Sequence, residues 1–252
     1  ITTSLRGLVD GVIVVDQQME PVHSGLGGGV VPDAFMILSR IISSFHNDKG
    51  ELLIEGLTST EQDVFELSDE FVKSSLSSTG VNLFEMDSYS KRLWLEPALS
   101  ILAIDAPPVA ESVNLLIPKA KAKVSLRLPP TEDPDHAMNM LEKHIKENTP
   151  FNANVEFIPE AKGKGILVDP KNEFSSKLIE SFNKHWENEV AYMGVGGSIP
   201  FANVFINEFP NSEIVLVGAG DEEGNAHAPN ESVNLSDIER LIDSLTDAIS
   251  NY

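Results

Sequence analysis

The ten residues KAKAKVSLRL, Lys119–Leu128, constrain the fold more than any other stretch. Ala120, Ala122, Val124, Leu126 and Leu128 alternate with Lys119, Lys121, Lys123, Ser125 and Arg127. A period of two places the first set on one face of a β-strand and the second on the other. The chain must therefore hold a sheet with one apolar face that other elements cover. The neighbouring segments supply the cover and the partners. LRGLVDGVIVVD (Leu5–Asp16) reads as a valine-rich strand, and Leu99–Asp105 as a strand that stops at Pro107-Pro108. Helical spacing of Ala34, Leu38, Ile41, Ile42 and Phe45 predicts a helix from Val31 to about Phe45. Asp133 can cap and Pro134 can open a second helix with Met138, Leu141 and Ile145 as its stripe. ANVEFI, residues 153–158, is a further strand. The order strand–helix–strand–strand–helix–strand suggests a split βαβ, ferredoxin-like sandwich. Residues 52–98 interrupt it as an insertion of short helices and loops.

A break follows at PEAKGKGILVDPKNE. Phe174, Leu178, Phe182 and Trp186 mark a helix, and Ile199–Ile206 reads as a short one. EIVLVGAG (Glu213–Gly220) reads as a buried strand. The last helix is expected to start at a capping box of Ser236 and Glu239, with Ile238, Leu241, Ile242, Leu245 and Ile249 as its apolar stripe. Residues 166–252 are too few to close an α/β core alone. They are expected to be partly disordered or to lean on a neighbour.

Composition excludes several functions. Eighteen Lys and Arg against 39 Asp and Glu give a net charge of −21, which repels nucleic acid and anionic membrane. With no cysteine, disulfides and thiolate metal sites are out. No apolar run has the length of a membrane span, and no signal peptide is visible, so a cytoplasmic location is expected. The chain starts at Ile1, directly before a strand, as though an earlier segment had been removed.

Four stretches carry candidate chemistry. HSGLGGGVVPDA (His23–Ala34) puts a histidine before four glycines and a helix. No lysine follows those glycines, and their spacing is not G-x-G-x-x-G, so a phosphate cradle is disfavoured. A tight turn with an incidental histidine and a catalytic histidine on a loop both stay open. GVGGSIPFA (Gly194–Ala202) is a glycine turn opening a helix; its N–H groups either hold an anion or simply turn the chain. In AHAPNE, His227 follows a strand and reads as a metal ligand, an acid–base group or a surface residue. Arg127 is either a solvated arginine or an anion clamp. Two decoys are rejected. His46–Asp48 copies an H-x-D metal spacing in a polar turn, and Glu222-Glu223 copies a catalytic acid pair.

LRGLVDGVIVVD with PVHSGLGGGVVPDA, then SVNLLIPKAKAKVSLRLPP, GVGGSIPFA and AHAPNESV, together and in this order, resemble the zinc metallopeptidase family of carnosinase, aminoacylase, acetylornithine deacetylase and succinyl-diaminopimelate desuccinylase, in its dipeptidase-like branch. The resemblance implies an α+β lid for residues 1–165, which dimerises. It also implies the C-terminal part of an α/β, zinc-aminopeptidase-like catalytic domain for residues 166–252. It implies a small peptide or acyl-amino-acid substrate, cleaved at an amide next to a free carboxylate, and two zinc ions in the intact enzyme. His23 would reach the partner's site and donate to the oxyanion. Asn114 and Arg127 would bind substrate from the lid, Gly197 and Ser198 would hold its carboxylate, and His227 would be a zinc ligand, with Glu231 ordering its loop. The family's other metal ligands and its general base come from a preceding segment. This chain alone is therefore expected to lack the zinc pair and activity. The alternative is a non-catalytic dimerisation module.

Overall fold

The computed structural model describes residues 1–76, 82–197, 199–209, 211–220, 224 and 229–252. Its larger sheet has four antiparallel strands in the order β3 (Ala98–Asp105), β4 (Lys119–Leu128), β2 (Gly7–Asp16), β5 (Val155–Gly163). The alternation of β4 is realised: Ala120, Ala122, Val124, Leu126 and Leu128 are all buried. Cross-strand register sets them beside Val15, Ile13, Gly11, Val9 and Gly7 of β2. The apolar face so formed meets two helices, α2 (Ala34–Ser43) and α5 (Pro134–Glu147), through Ile37, Leu38, Ile41, Ala137, Leu141 and Ile145. The succession of strands and helices read from the sequence is thus present. Gly11 leaves room on this face for the Phe157 ring, which a Cβ would meet at 2.4 Å.

Boundaries moved for local reasons. The first helix begins at Ala34 rather than Val31, because the Asp33 carboxylate caps it by accepting from the Met36 N–H at 2.9 Å. Asp133 caps α5 as expected. The strand expected over 153–158 runs on to Gly163, because β5 pairs with β2 past a bulge between Asp10 and Gly11.

The insertion does hold short helices, α3 (Asp69–Leu76) and α4 (Tyr89–Trp94), around a small core of Leu67, Val72, Trp94 and Leu95. Glu132, 4% exposed, ties it down by accepting from the Thr58 N–H at 3.0 Å and from the Thr58 hydroxyl at 2.9 Å.

A second, three-stranded sheet has the order β6 (Ile166–Leu167), β1 (Thr2–Leu5), β7 (Met193–Val195). The strand expected from Leu5 onward is therefore divided at Arg6: Thr2–Leu5 joins the later residues and Gly7–Asp16 joins the larger sheet. Ala202 of α7 (Pro200–Glu208) packs with Leu5 of β1, and α6 (Glu173–His185) packs against α8 (Leu235–Ser250). Two expectations here are corrected. Residues 213–220 are not a buried strand; they make one bridge, Leu216 to Thr2, and Val217 is 38% exposed. The Ser236–Glu239 box does not cap α8. Asn234 does, accepting from the Ser236 N–H at 3.0 Å, since its extended backbone ends the loop two residues earlier.

Candidate functional site

His23 sits at the start of a single helical turn, α1 (Ser24–Gly27). Its Nδ1 accepts from the Gly25 N–H at 3.0 Å. In a neutral ring that bond leaves the proton on Nε2. Nε2 has no partner among the described residues and the side chain is exposed, so it presents a donor outward. The glycines shape this turn. A Cβ on Gly28 would stand 2.4 Å from the Ser24 carbonyl oxygen, and Gly29 has φ +83°. Backbone pairing clamps the loop to the segment before β4: the Ser24 N–H donates to the Asn114 carbonyl at 2.8 Å, and the Leu116 N–H to that of Val22 at 2.8 Å. His23 and Leu115 form a bridge. Asn114, exposed as well, is therefore held beside His23. Spacing of 91 residues in sequence hid that adjacency.

A second group gathers where the two sheets meet. Arg127, on the polar face of β4, lies across from Leu8 and Ala98. Arg6 joins β1 to β2. Its N–H donates to the Val195 carbonyl at 3.2 Å and its Nε to that of Gly196 at 3.2 Å. Gly196 begins the turn that contains exposed Gly197. Burial, reinforced by the charge of Arg127, pulls the Arg6 guanidinium down to about 10. Sequence reasoning passed over Arg6. The signal was a lone charge between two apolar runs, in a stretch read as one continuous strand.

These groups stand at opposite ends of the larger sheet. Lys119 pairs with Asp16 at one end and Arg127 with Leu8 at the other; eight residues of strand span about 26 Å. Pairing continues past the Lys119 end through Gln17 N–H to Pro118 O, at 3.0 Å, and on to His23 and Asn114.

Ser198, His227 and the Glu222-Glu223 pair lie outside the described residues. Among the described residues no group of three His, Asp, Glu or Cys could hold a metal ion. His46–Asp48 forms a turn in which Asn47 Oδ1 accepts from the N–H groups of Lys49 and Glu51 at 2.9 and 3.0 Å. No helix among the described residues is long and apolar enough to cross a membrane.

Residues 3–153 match the M20 peptidase dimerisation domain. This chain belongs to the M20 peptidase family. It is 31% identical over 251 residues to the cysteinylglycine-S-conjugate dipeptidase of Corynebacterium striatum, covering 96% of this chain and 54% of that protein. It is 26% identical over 260 residues to the Cys-Gly metallodipeptidase DUG1 of Saccharomyces cerevisiae, covering 94% and 52%. The chain thus spans about half the length of the curated relatives it matches. Its fold is shared by the solved di-peptidase Dug1p of Saccharomyces cerevisiae (TM-score 0.78, 21% identity, 98% of this chain and 55% of that one). Human carnosine dipeptidase 1 shares it too (TM-score 0.73, 18% identity, 100% and 56%). The M20 match agrees with the metallopeptidase resemblance, and the relatives are metallodipeptidases.

Proposed function

We propose that this chain is the ferredoxin-like lid and the C-terminal catalytic segment of a zinc-dependent dipeptidase that works as a homodimer. The observation that carries this reading is the distance of about 26 Å along β4 between the end that holds His23 and Asn114 and the end that holds Arg127 and Gly197. Two half-sites so far apart serve one small substrate only if each comes from a different copy. Arg127 and the Gly197–Ser198 turn would take the free carboxylate in their own copy's site. His23, with Asn114 beside it, would complete the partner's site.

The chemistry follows from that division. Zinc, with His227 as one ligand and the rest from a preceding segment, would supply the polarised water that attacks the amide. The outward Nε2–H of His23 would donate to the oxyanion that forms, a contact made in the transition state rather than in the bound substrate. In the full-length protein, His23→Ala is expected to lower kcat by about 10²–10³ with little change in KM. An unchanged kcat removes His23 from the reaction.

The dimerisation-domain match, residues 3–153, favours a second reading, a self-associating module without chemistry. Metal analysis and a dipeptide assay on the full-length protein separate the two. Stoichiometric zinc with turnover refutes the module; the absence of both favours it.

A further inference from the structure

Arg6 is the least expected charge in the molecule. It is 8% exposed, and no carboxylate among the described residues pairs with it. A buried cation without a counter-charge costs several kcal/mol unless something compensates it. Arg127 makes the cost larger by adding a like charge. Among the described residues, the Gly196 carbonyl takes up one guanidinium N–H. A Cβ on Gly196 would come within 3.1 Å of Arg6 Nη2, so glycine lets the guanidinium lie close against the backbone there. Gly197, by contrast, has open space on its Cβ side. The turn is thus held on one side by Arg6 and open on the other.

Buried positive charge and an open glycine turn thus meet at one place. Each part comes from a different region: Arg6 from the link between the sheets, Arg127 from β4, and Gly196–Gly197 from the turn after β7. We propose that Arg6 is a positioning residue for the carboxylate end of the substrate, holding the Gly196 carbonyl so that the Gly196–Gly197 backbone faces the ligand and adding its buried charge to that of Arg127. The inference rests on the dipeptidase reading for the identity of the anion, a peptide's free C-terminal carboxylate. Because Arg6 is also the residue at which the chain passes from one sheet to the other, it couples the placement of Arg127 to that of the turn.

The test uses the full-length, metal-loaded protein, with Arg6→Gln and Arg6→Lys. The substrates are a Cys-Gly-type dipeptide and the same dipeptide with its C-terminal carboxylate converted to an amide. Arg6→Gln is expected to raise KM for the free dipeptide about ten-fold, with kcat within about three-fold, and to leave kcat/KM for the amide unchanged. Arg6→Lys, which keeps the charge but not the planar fork, should fall between the two. Equal losses on both substrates would mean a purely structural role and overturn the proposal, as would an unchanged KM. If Arg6→Gln does not fold, Arg6→Lys carries the test: a rise in KM confined to the free dipeptide supports the proposal, and no such rise overturns it. If the unmodified protein cleaves neither substrate, the dipeptidase reading fails on its own. Arg6 is then judged by acetate binding to the same protein, where a midpoint about ten-fold higher in Arg6→Gln supports the proposal and an equal midpoint overturns it.

Discussion

The larger sheet with its two helices and the three-stranded sheet with its helices solve the burial problem differently. In the first, eighteen buried apolar residues form one continuous cluster. In the second, the cluster around β1 has four among the described residues: Leu5, Ile166, Val168 and Ala202. The apolar residues exist there but face outward. Phe201, Phe205 and Phe209 of α7 and its end are 69%, 45% and 55% exposed. On α8 the stripe expected to be buried is split. Ile238, Leu241 and Leu245 are half-buried, while Ile242 and Ile249 are 56% and 65% exposed, and the buried positions are Ser244 and Ala248, outside that stripe. The first unit is closed by its own residues. The second presents a broad apolar surface of the kind that marks contact with more protein, as the proposed role as part of a larger catalytic domain requires.

That contrast can be broken by mutation. Leu141, fully buried between α5 and the sheet, should lose about 2–5 kcal/mol of unfolding free energy as Leu141→Ala. Ile249→Ala on the open face of α8 should change it by less than about 0.5 kcal/mol. Urea denaturation of each variant measures both, and equal losses would erase the distinction. Glu132→Gln tests how firmly the insertion is tied to the lid. Burial pushes the Glu132 carboxyl up, but hydrogen bonds from His136 and Thr58 outweigh it and hold the group below its ordinary value. Weakening those acceptors should cost about 1–3 kcal/mol. Asp33→Ala, which removes the α2 cap, should cost about 1 kcal/mol by the same measurement.

The smallest effect is with pH. Burial lowers His144, whose ring stacks on Phe45 at 5.2 Å, and burial with the nearby Arg92 charge lowers His46. In both cases the unfolded chain takes up its proton first as pH falls, so stability is full above about pH 6.5 and declines below it. His144→Gln should flatten the decline between about pH 6.5 and the carboxylate range, read from denaturation midpoints. An unaltered slope would mean that His144 titrates as it does in the unfolded chain.

The same contrast explains what the sequence could show. Where a unit buries its own residues, periodicity is visible in those residues: the β4 alternation, the α2 and α5 stripes and the cap at Asp133 all follow from local spacing. Where the partners lie elsewhere, spacing misleads. Ile242 and Ile249 have the right period for a buried stripe yet face outward, and residues 213–220 have strand composition yet only one bridge. The candidate site residues His23, Asn114, Arg127 and Gly197 were named from residue type and motif order. The resemblance already assigned His23 to a partner's site; the grouping of Asn114 with His23 was not visible, because the two meet only through loop pairing. Arg6 was hidden by the apolar runs on each side, which read as one strand when they belong to two sheets.

The central claim is that each site is assembled from two copies. Full-length His23→Ala and Arg127→Ala are each expected to be nearly inactive. Co-expressed, they form mixed dimers with one intact site, in which Arg127 of the first variant meets His23 of the second. Statistical pairing predicts recovery of about a quarter of the unmodified rate. No recovery in isolated mixed dimers would contradict the account, and would place His23 and Arg127 in the service of the same copy or of different events.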